Sequence, residues 1–518
     1  MMLSKILENK LIIIYIVPFS LGCITVFGFQ PFNLTIINFF CLSSLFLIIA
    51  FINKKLRSKY RKKSYLIYFF LVGYFFGTGF FLTGTFWISN SLTFDENLSF
   101  LIPFCIIGIP IFLGIFSGLT CFVIGSYMNN NFQSIILFST SLAINDYLRS
   151  IVFTGFPWNL WAYSWSWSNE SLQSLNILGL HGFNLLTIFF FCLPALFFNK
   201  NFKKKLQFTF VLVILIFSFF IYGSFKINSN KNLLNDDLKF VNVKVISPGF
   251  ELNYDFSDEN LESLMSNLIK YSNPEKEKNT IFIWPEGVFA GFYFSEISKI
   301  KEKIYKNFSE NHLIILGINT KDEASKKTYN SLLVLNNNLE VIYKYNKKKL
   351  VPFGEYIPFK KFLNSIGFKK LTYGYDAFSK GGKMKNFFLG DLSLFPLICY
   401  EIIFPELLQK TDLSTNLIVN ISEDAWFGSS IGPAQHFAKA KFRAIENNNY
   451  LVRSANKGYT AIINNTGEVL KSLKPSEIGS IEIQIPLVQR SQRNKNDLIF
   501  FFLLITNILI FLYYKKNK

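Results

Sequence analysis

A thiol, a carboxylate and an ammonium group stand in one polar region of this chain. The thiol is Cys399, in Leu397-Ile398-Cys399-Tyr400-Glu401. Of six cysteines it alone lies outside a membrane-length apolar run. Cys23, Cys41, Cys105, Cys121 and Cys192 sit inside such runs, where a thiol is a small apolar filler. Cys399 follows the apolar, strand-like stretch 392–398 and has a carboxylate two residues later. Glu286 sits in Ile283-Trp284-Pro285-Glu286, directly after another strand-like run. Strand ends are where α/β domains place reactive groups. The ammonium belongs to Lys347-Lys348-Lys349, which runs on into Leu350-Val351-Pro352-Phe353-Gly354-Glu355. A thiolate attacks well only when a base or a positive charge activates it, so these three types suggest a nucleophilic cysteine. Each has a plainer reading: a buried structural cysteine, an exposed turn glutamate, a solvated lysine run. In an extended stretch Lys347 and Lys349 face one way and Lys348 the other. Composition does not choose among them.

Other catalytic groups are scarce. The histidines are His181, His312 and His436, and only His436, opening an expected helix, leaves a Cys–His pair open. The His and Cys ligands are too few for a metal site. No metal or cofactor is expected.

The elements that must position these groups fall into two kinds. The chain of 518 residues is 50% hydrophobic and 18% aromatic, which is too apolar for a soluble protein of this size. Nearly uncharged runs of spanning length occur at 10–28, 34–52, 64–85, 100–127, 133–150, 176–198, 206–224 and 496–514. About eight spans are therefore expected, the fifth weakened by Asp146 and Arg149. The net charge of +19 is gathered in the loops holding Lys54 to Lys63 and Lys200 to Lys205 and in the tail at Lys515. With eight spans these all fall on one side, the positive-inside pattern, so nucleic-acid binding is not implied. Both termini are then cytoplasmic and the segment 225–495 is extracytoplasmic. This predicts a transmembrane bundle over 1–224, an α/β domain over 225–495, and a last helix with a basic tail over 496–518. One cysteine in the exported domain leaves nothing to pair with, so its thiol stays free.

Within the domain, strands are expected at 241–246, 280–284, 313–317, 331–335, 392–398, 416–421, 450–453, 460–463 and 480–485. Helices are expected at 259–271, 295–307 and 435–447. Strands alternating with helices indicate a layered α/β domain.

Glutamate after Trp-Pro, lysine before Leu-Val-Pro-Phe-Gly-Glu, and Cys-Tyr-Glu, in that order, resemble the Glu-Lys-Cys triad of the nitrilase superfamily. With flanking spans the resemblance narrows to the apolipoprotein N-acyltransferase family. Gly28-Phe29-Gln30-Pro31-Phe32, Gly155-Phe156-Pro157-Trp158, Asp424-Ala425-Trp426-Phe427-Gly428 and Gln435-His436-Phe437 extend it through most of the chain. The resemblance implies a nitrilase-like αββα sandwich with Glu286, Lys347 and Cys399 as catalytic triad. It selects Lys347 from the triple and marks Glu355, Tyr400 and Glu401 as accessory groups. Two departures stand out: Glu423 where the family usually has Asn, and Ser247-Pro248-Gly249-Phe250 after the first domain strand.

The implied reaction moves an acyl chain from a phospholipid to the α-amine of a diacylglyceryl-cysteine apolipoprotein, through a cysteine thioester. The implied setting is the bacterial inner membrane, with the catalytic domain periplasmic and the enzyme monomeric. The aromatic segment 287–294 is expected either to dip into the interface as a mobile arm, with Phe292 and Phe294, or to pack in the domain core. Segment 369–385 is a second lid candidate. Trp158, Trp161 and Tyr163 are expected to line a lipid entrance or form an aromatic belt, and Trp426 to lie near the entrance. An alternative is a membrane-anchored amidase acting on small amides. A transporter would want ionisable residues inside its spans, which are nearly free of them.

Overall fold

The computed structural model describes residues 9–59, 65–199, 205–232, 238–252, 256–358, 365, 377–409, 412–488 and 496–516. The chain forms two compact units. One holds residues 1–89, 100–226 and 495–518, the other residues 90–99 and 227–494.

The first unit is helical. Its helices are α1 (Val17–Ile24), α2 (Ile36–Lys59), α3 (Leu66–Thr85), α4 (Ile102–Ile124), α5 (Phe132–Ile151), α6 (Leu175–Cys192), α7 (Lys205–Asn232, which runs into the second unit) and, from the end of the chain, α11 (Asn496–Lys516). Every expected span falls on a helix. Among the described residues six helices are long and apolar enough, by length and composition, to cross a membrane, and the other two expected spans, 10–28 and 133–150, also fall on helices. The two that fall short have physical reasons. The apolar stretch Ile12–Gly28 is shorter and changes winding, from a π turn to α to 3₁₀, around Pro18, which has no N–H to give. α5 buries Asn145, Asp146 and Arg149. Helices approach closely where side chains vanish: a Cβ on Gly22 would lie 2.1 Å from the Phe76 carbonyl oxygen, and one on Gly79 2.2 Å from that of Phe19. Small residues permit such contacts where apolar faces alone would hold the backbones apart.

The second unit contains two six-stranded sheets, ordered β12-β1-β2-β3-β4-β5 and β11-β10-β9-β8-β7-β6. In the first sheet β1 (Phe240–Ser247), β2 (Thr280–Ile283) and β3 (His312–Asp322) run parallel, and β4 (Lys327–Leu335), β5 (Val341–Asn346) and β12 (Gly479–Pro486) antiparallel. In the second β7 (Leu392–Ile398), β8 (Leu417–Glu423) and β9 (Tyr450–Asn456) are parallel, flanked by β6 (Phe387–Leu389), β10 (Thr460–Ile463) and β11 (Val469–Leu473). β1 packs against β9 and β10, and β4 against β7. α8 (Asp258–Ser272) and α9 (Lys301–Asn307) cover the first sheet, with Leu261, Met265, Leu268 and Ile304 in its core. α10 (Gly432–Asn447) lies on β9. The order helix, sheet, sheet, helix is the expected αββα sandwich. Strands buried on both faces read as near-continuous apolar runs, as β7 does apart from Ser393.

The first part of segment 369–385, residues 369–376, lies outside the described residues, as do the basic clusters at 60–63 and 200–204.

Candidate active site

Three strand ends converge. β2 delivers Trp284-Pro285-Glu286, β5 delivers Lys347, and β7 delivers Cys399. The β4–β5 ladder runs one bond past β5: the Lys347 N–H donates to the Asn330 carbonyl at 2.8 Å. This turns Lys347 inward, with its side chain 1% exposed, while Lys349 lies over Phe404 and reaches Glu406 at 3.0 Å. The lysine that the resemblance selected is the buried one.

Lys347 Nζ lies 3.2 Å from Glu286 Oε1 and 2.9 Å from Glu355 Oε1. Asn330 Nδ2 donates to the same two oxygens, at 2.7 Å and 2.8 Å. Burial alone would pull the Lys347 ammonium down; the Glu286 and Glu355 carboxylates outweigh it and hold Lys347 above the usual lysine range. Glu286 Oε2 accepts from the Glu423 N–H at 3.0 Å. A carboxylate fixed at both oxygens cannot rotate away from its task.

Cys399 starts a short turn with φ +48°, a left-handed conformation that non-glycine residues avoid. Such strain persists where the surroundings over-determine it, commonly at reactive positions. Here the anchor is Glu401, fully buried, whose Oε2 accepts from the Ile398 N–H at 2.9 Å. Its Oε1 accepts from the Tyr345 hydroxyl and from the N–H groups of Lys348 and Lys349. Burial, then the Glu286 charge, push the Cys399 thiol well above its usual range; Lys347 acts against both. The resting sulfur is therefore a thiol. Tyr400 packs edge-on against Phe404 at 5.0 Å, and burial raises its phenol.

Behind the cysteine lies a second buried network. Asp424 accepts from Arg453 Nη2 at 2.9 Å and 2.8 Å and from the Ser422 hydroxyl at 2.7 Å. His436 Nδ1 is 3.1 Å from Asp424 Oδ1. Burial and the Arg453 charge lower His436 to about 4, so it is neutral. Its Nδ1 faces Asp424 and Arg453 Nη2.

Phe292 is 3% exposed and lies with Val288 and Phe289 in the first sheet's core, with Phe294 packed against it. The segment takes the packing alternative because it buries beside Trp284. Trp158 and Tyr163 are 1% and 3% exposed, inside the helical unit. The Trp158 carbonyl accepts from Arg149, itself paired with Asp146 at 3.0 Å. Trp426 is half-buried against Phe94, with ring centroids 4.8 Å apart. Sequence reasoning missed Asn330, Tyr345, Ser422 and Asn456. No motif marks them, because their value lies in what the sheets bring beside them.

Two such sheets, with carboxylate, lysine and cysteine at their strand ends, define a catalytic domain of the carbon–nitrogen hydrolase type. Residues 263–494 match the Carbon-nitrogen hydrolase family, and residues 21–193 match the Apolipoprotein N-acyltransferase N-terminal domain. The apolipoprotein N-acyltransferase of Rickettsia typhi is 32% identical over 408 residues, covering 77% of this chain and 80% of its own. That of Rickettsia bellii is 33% identical over 406 residues, covering 77% and 79%. A CN-hydrolase superfamily protein from Xanthomonas campestris aligns with a TM-score of 0.35 at 15% identity, over 48% of this chain and 91% of its own. The chain belongs to the apolipoprotein N-acyltransferase family.

Proposed function

We propose that this enzyme transfers an acyl chain from a phospholipid to the N-terminal α-amine of a diacylglyceryl-cysteine apolipoprotein. The observation that carries the mechanism is the buried meeting of Glu286, Lys347 and Glu355 beside the strained Cys399 turn. Glu286 takes the thiol proton, and the thiolate attacks the ester carbonyl of the phospholipid. An ammonium has three N–H donors, and two of those of Lys347 face carboxylates. The third is available to the oxyanion, and one preorganised donor contributes about 3 kcal/mol. The ester C–O bond breaks, the lysophospholipid oxygen takes the proton from Glu286, and the acyl chain remains as a thioester. The lipoprotein amine then attacks, gives a proton to Glu286, and the amide forms as Cys399 leaves and is reprotonated. One sulfur serving two half-reactions implies ping-pong kinetics.

The matched N-terminal domain weighs against an amidase for small substrates, which has no need of a membrane unit. The basic clusters support an orientation with both termini cytoplasmic and the catalytic domain on the outer face of the inner membrane.

The test is to incubate purified protein with phospholipid carrying a labelled acyl chain. Hydroxylamine-sensitive label on Cys399, absent in Cys399→Ala and passed on to a diacylglyceryl-cysteine peptide, is expected. An accessible Cys399 that takes no label would overturn the phospholipid donor.

A further inference from the structure

The turn after β8 carries a carboxyl that the three-residue chemistry leaves unused. Glu423 is 3% exposed. Its N–H donates to Glu286 Oε2 at 3.0 Å, and its carbonyl oxygen lies 4.0 Å from Cys399 Sγ. One residue's backbone thus touches both the base and the nucleophile. Its side chain fastens that backbone. Oε1 accepts from the Ala425 N–H at 3.0 Å, and the two oxygens accept from Asn456 Nδ2 at 3.1 Å and 2.9 Å. Asn456, ending β9, also donates to the Phe250 carbonyl at 2.9 Å and accepts from the Phe250 N–H at 2.8 Å. The carboxyl of Glu423 therefore joins β8, β9 and the 247–250 turn. These are the two places where the sequence leaves its family's pattern, and they meet at one asparagine.

Room is made for this carboxyl. Gly287, next to the base, has φ +73°, and a Cβ there would come within 3.0 Å of Glu423 Oε2. Burial, with Glu286 and Asp424 as negative neighbours, raises Glu423 well above the usual carboxylate range.

We propose that Glu423 is a positioning residue for acyl transfer: tied through Asn456, it holds the peptide unit that fixes the Glu286 carboxylate relative to the Cys399 thiol. The inference rests on Glu286 being the base. Asn330 and Lys347 hold Oε1; among the described residues the Glu423 N–H is what holds Oε2. A misplacement of about 1 Å at such a group costs on the order of 10²-fold in rate.

The experiment is single-turnover acylation of Cys399 by labelled phospholipid, with full-length enzyme in detergent and rates taken per folded molecule from thermal melts. Glu423→Ala is expected to slow acylation by about 10- to 100-fold. Glu423→Gln, neutral and still an acceptor, is expected to recover most of that loss. On a Glu286→Gln background, Glu423→Ala is expected to add less than about 2-fold, because residues that act as a unit are not additive. Losses that multiply across the two backgrounds, or an unaltered rate in Glu423→Ala, would overturn the proposal. Should Glu423→Ala not fold, Asn456→Ala breaks the same tie and is read the same way. Full acylation in Glu286→Gln alone would instead remove the base on which the proposal rests.

Discussion

The Tyr345 hydroxyl donates to Glu401 Oε1 at 2.7 Å, across 56 positions of chain. Tyr345 stands on the strand that leads to Lys347, and Glu401 in the turn that begins at Cys399. The same carboxylate oxygen takes the N–H groups of Lys348 and Lys349. Glu401 is therefore the tie between the Lys347 loop and the Cys399 turn.

Glu401→Gln puts an amide where the carboxylate faces the Ile398 N–H. It is expected to destabilise the protein by about 1–3 kcal/mol, the cost of an unsatisfied buried donor. Tyr345→Phe removes one donor only and should cost about 1 kcal/mol. Thermal unfolding of the two variants orders these effects, and acylation rates should fall in the same order.

Lys347→Met leaves Glu286 and Glu355 buried beside each other with no cation. Breaking a buried pair by removing one partner costs about 3–5 kcal/mol. Thioester formation is expected to drop below detection even in the folded fraction. Lys347→Arg should not rescue it, since a planar fork does not replace a compact ammonium. Measurable turnover in the arginine variant would refute the assigned role.

Asn330→Asp replaces the amide that bridges Glu286 and Glu355 with a third carboxyl. Like charges this close cannot all ionise, so one takes up a proton. Acylation at neutral pH is expected to fall by at least about 10-fold and to recover partly as the pH is lowered. A pH–rate profile for the two proteins decides this.

His436 has a folded value near 4, below its ordinary 6.5, because burial and Arg453 oppose its charge. The unfolded chain therefore binds the proton first as pH falls. Stability should be complete above pH 6.5 and decline between 6.5 and 4, by roughly 3 kcal/mol at the acid end. Urea unfolding across this range measures the slope. In His436→Gln that part of the slope should vanish.

The legible parts of this chain were those whose residues answer to one local rule. β7, buried throughout, reads as an apolar run with a single serine and falls at its expected bounds. The three strands not expected from the sequence, β5, β6 and β11, are all sheet edges. Edge residues face solvent: Val341, Lys344, Phe388 and Lys471 are all exposed, and the two lysines break any apolar pattern there. The expected helix at 295–307 winds first as 3₁₀ over Glu296–Ile300 and only then as α. Cys399 and Glu286 stood out only as candidates, by their place after strand-like runs and with plainer readings left open, whereas Lys347 was not separable from its neighbours without the resemblance. Whether a lysine is buried depends on Asn330 and Glu355, which the sheet supplies from elsewhere.

β12 pairs antiparallel with β1 from Phe240 opposite Pro486 to Ser247 opposite Gly479, and the Leu487 N–H extends the ladder to the Lys239 carbonyl. The chain thus enters and leaves the sandwich side by side, at one corner of one sheet. Topologically the sandwich is a cassette spliced into a helical protein. A domain whose two ends already touch can be closed on itself by a short linker.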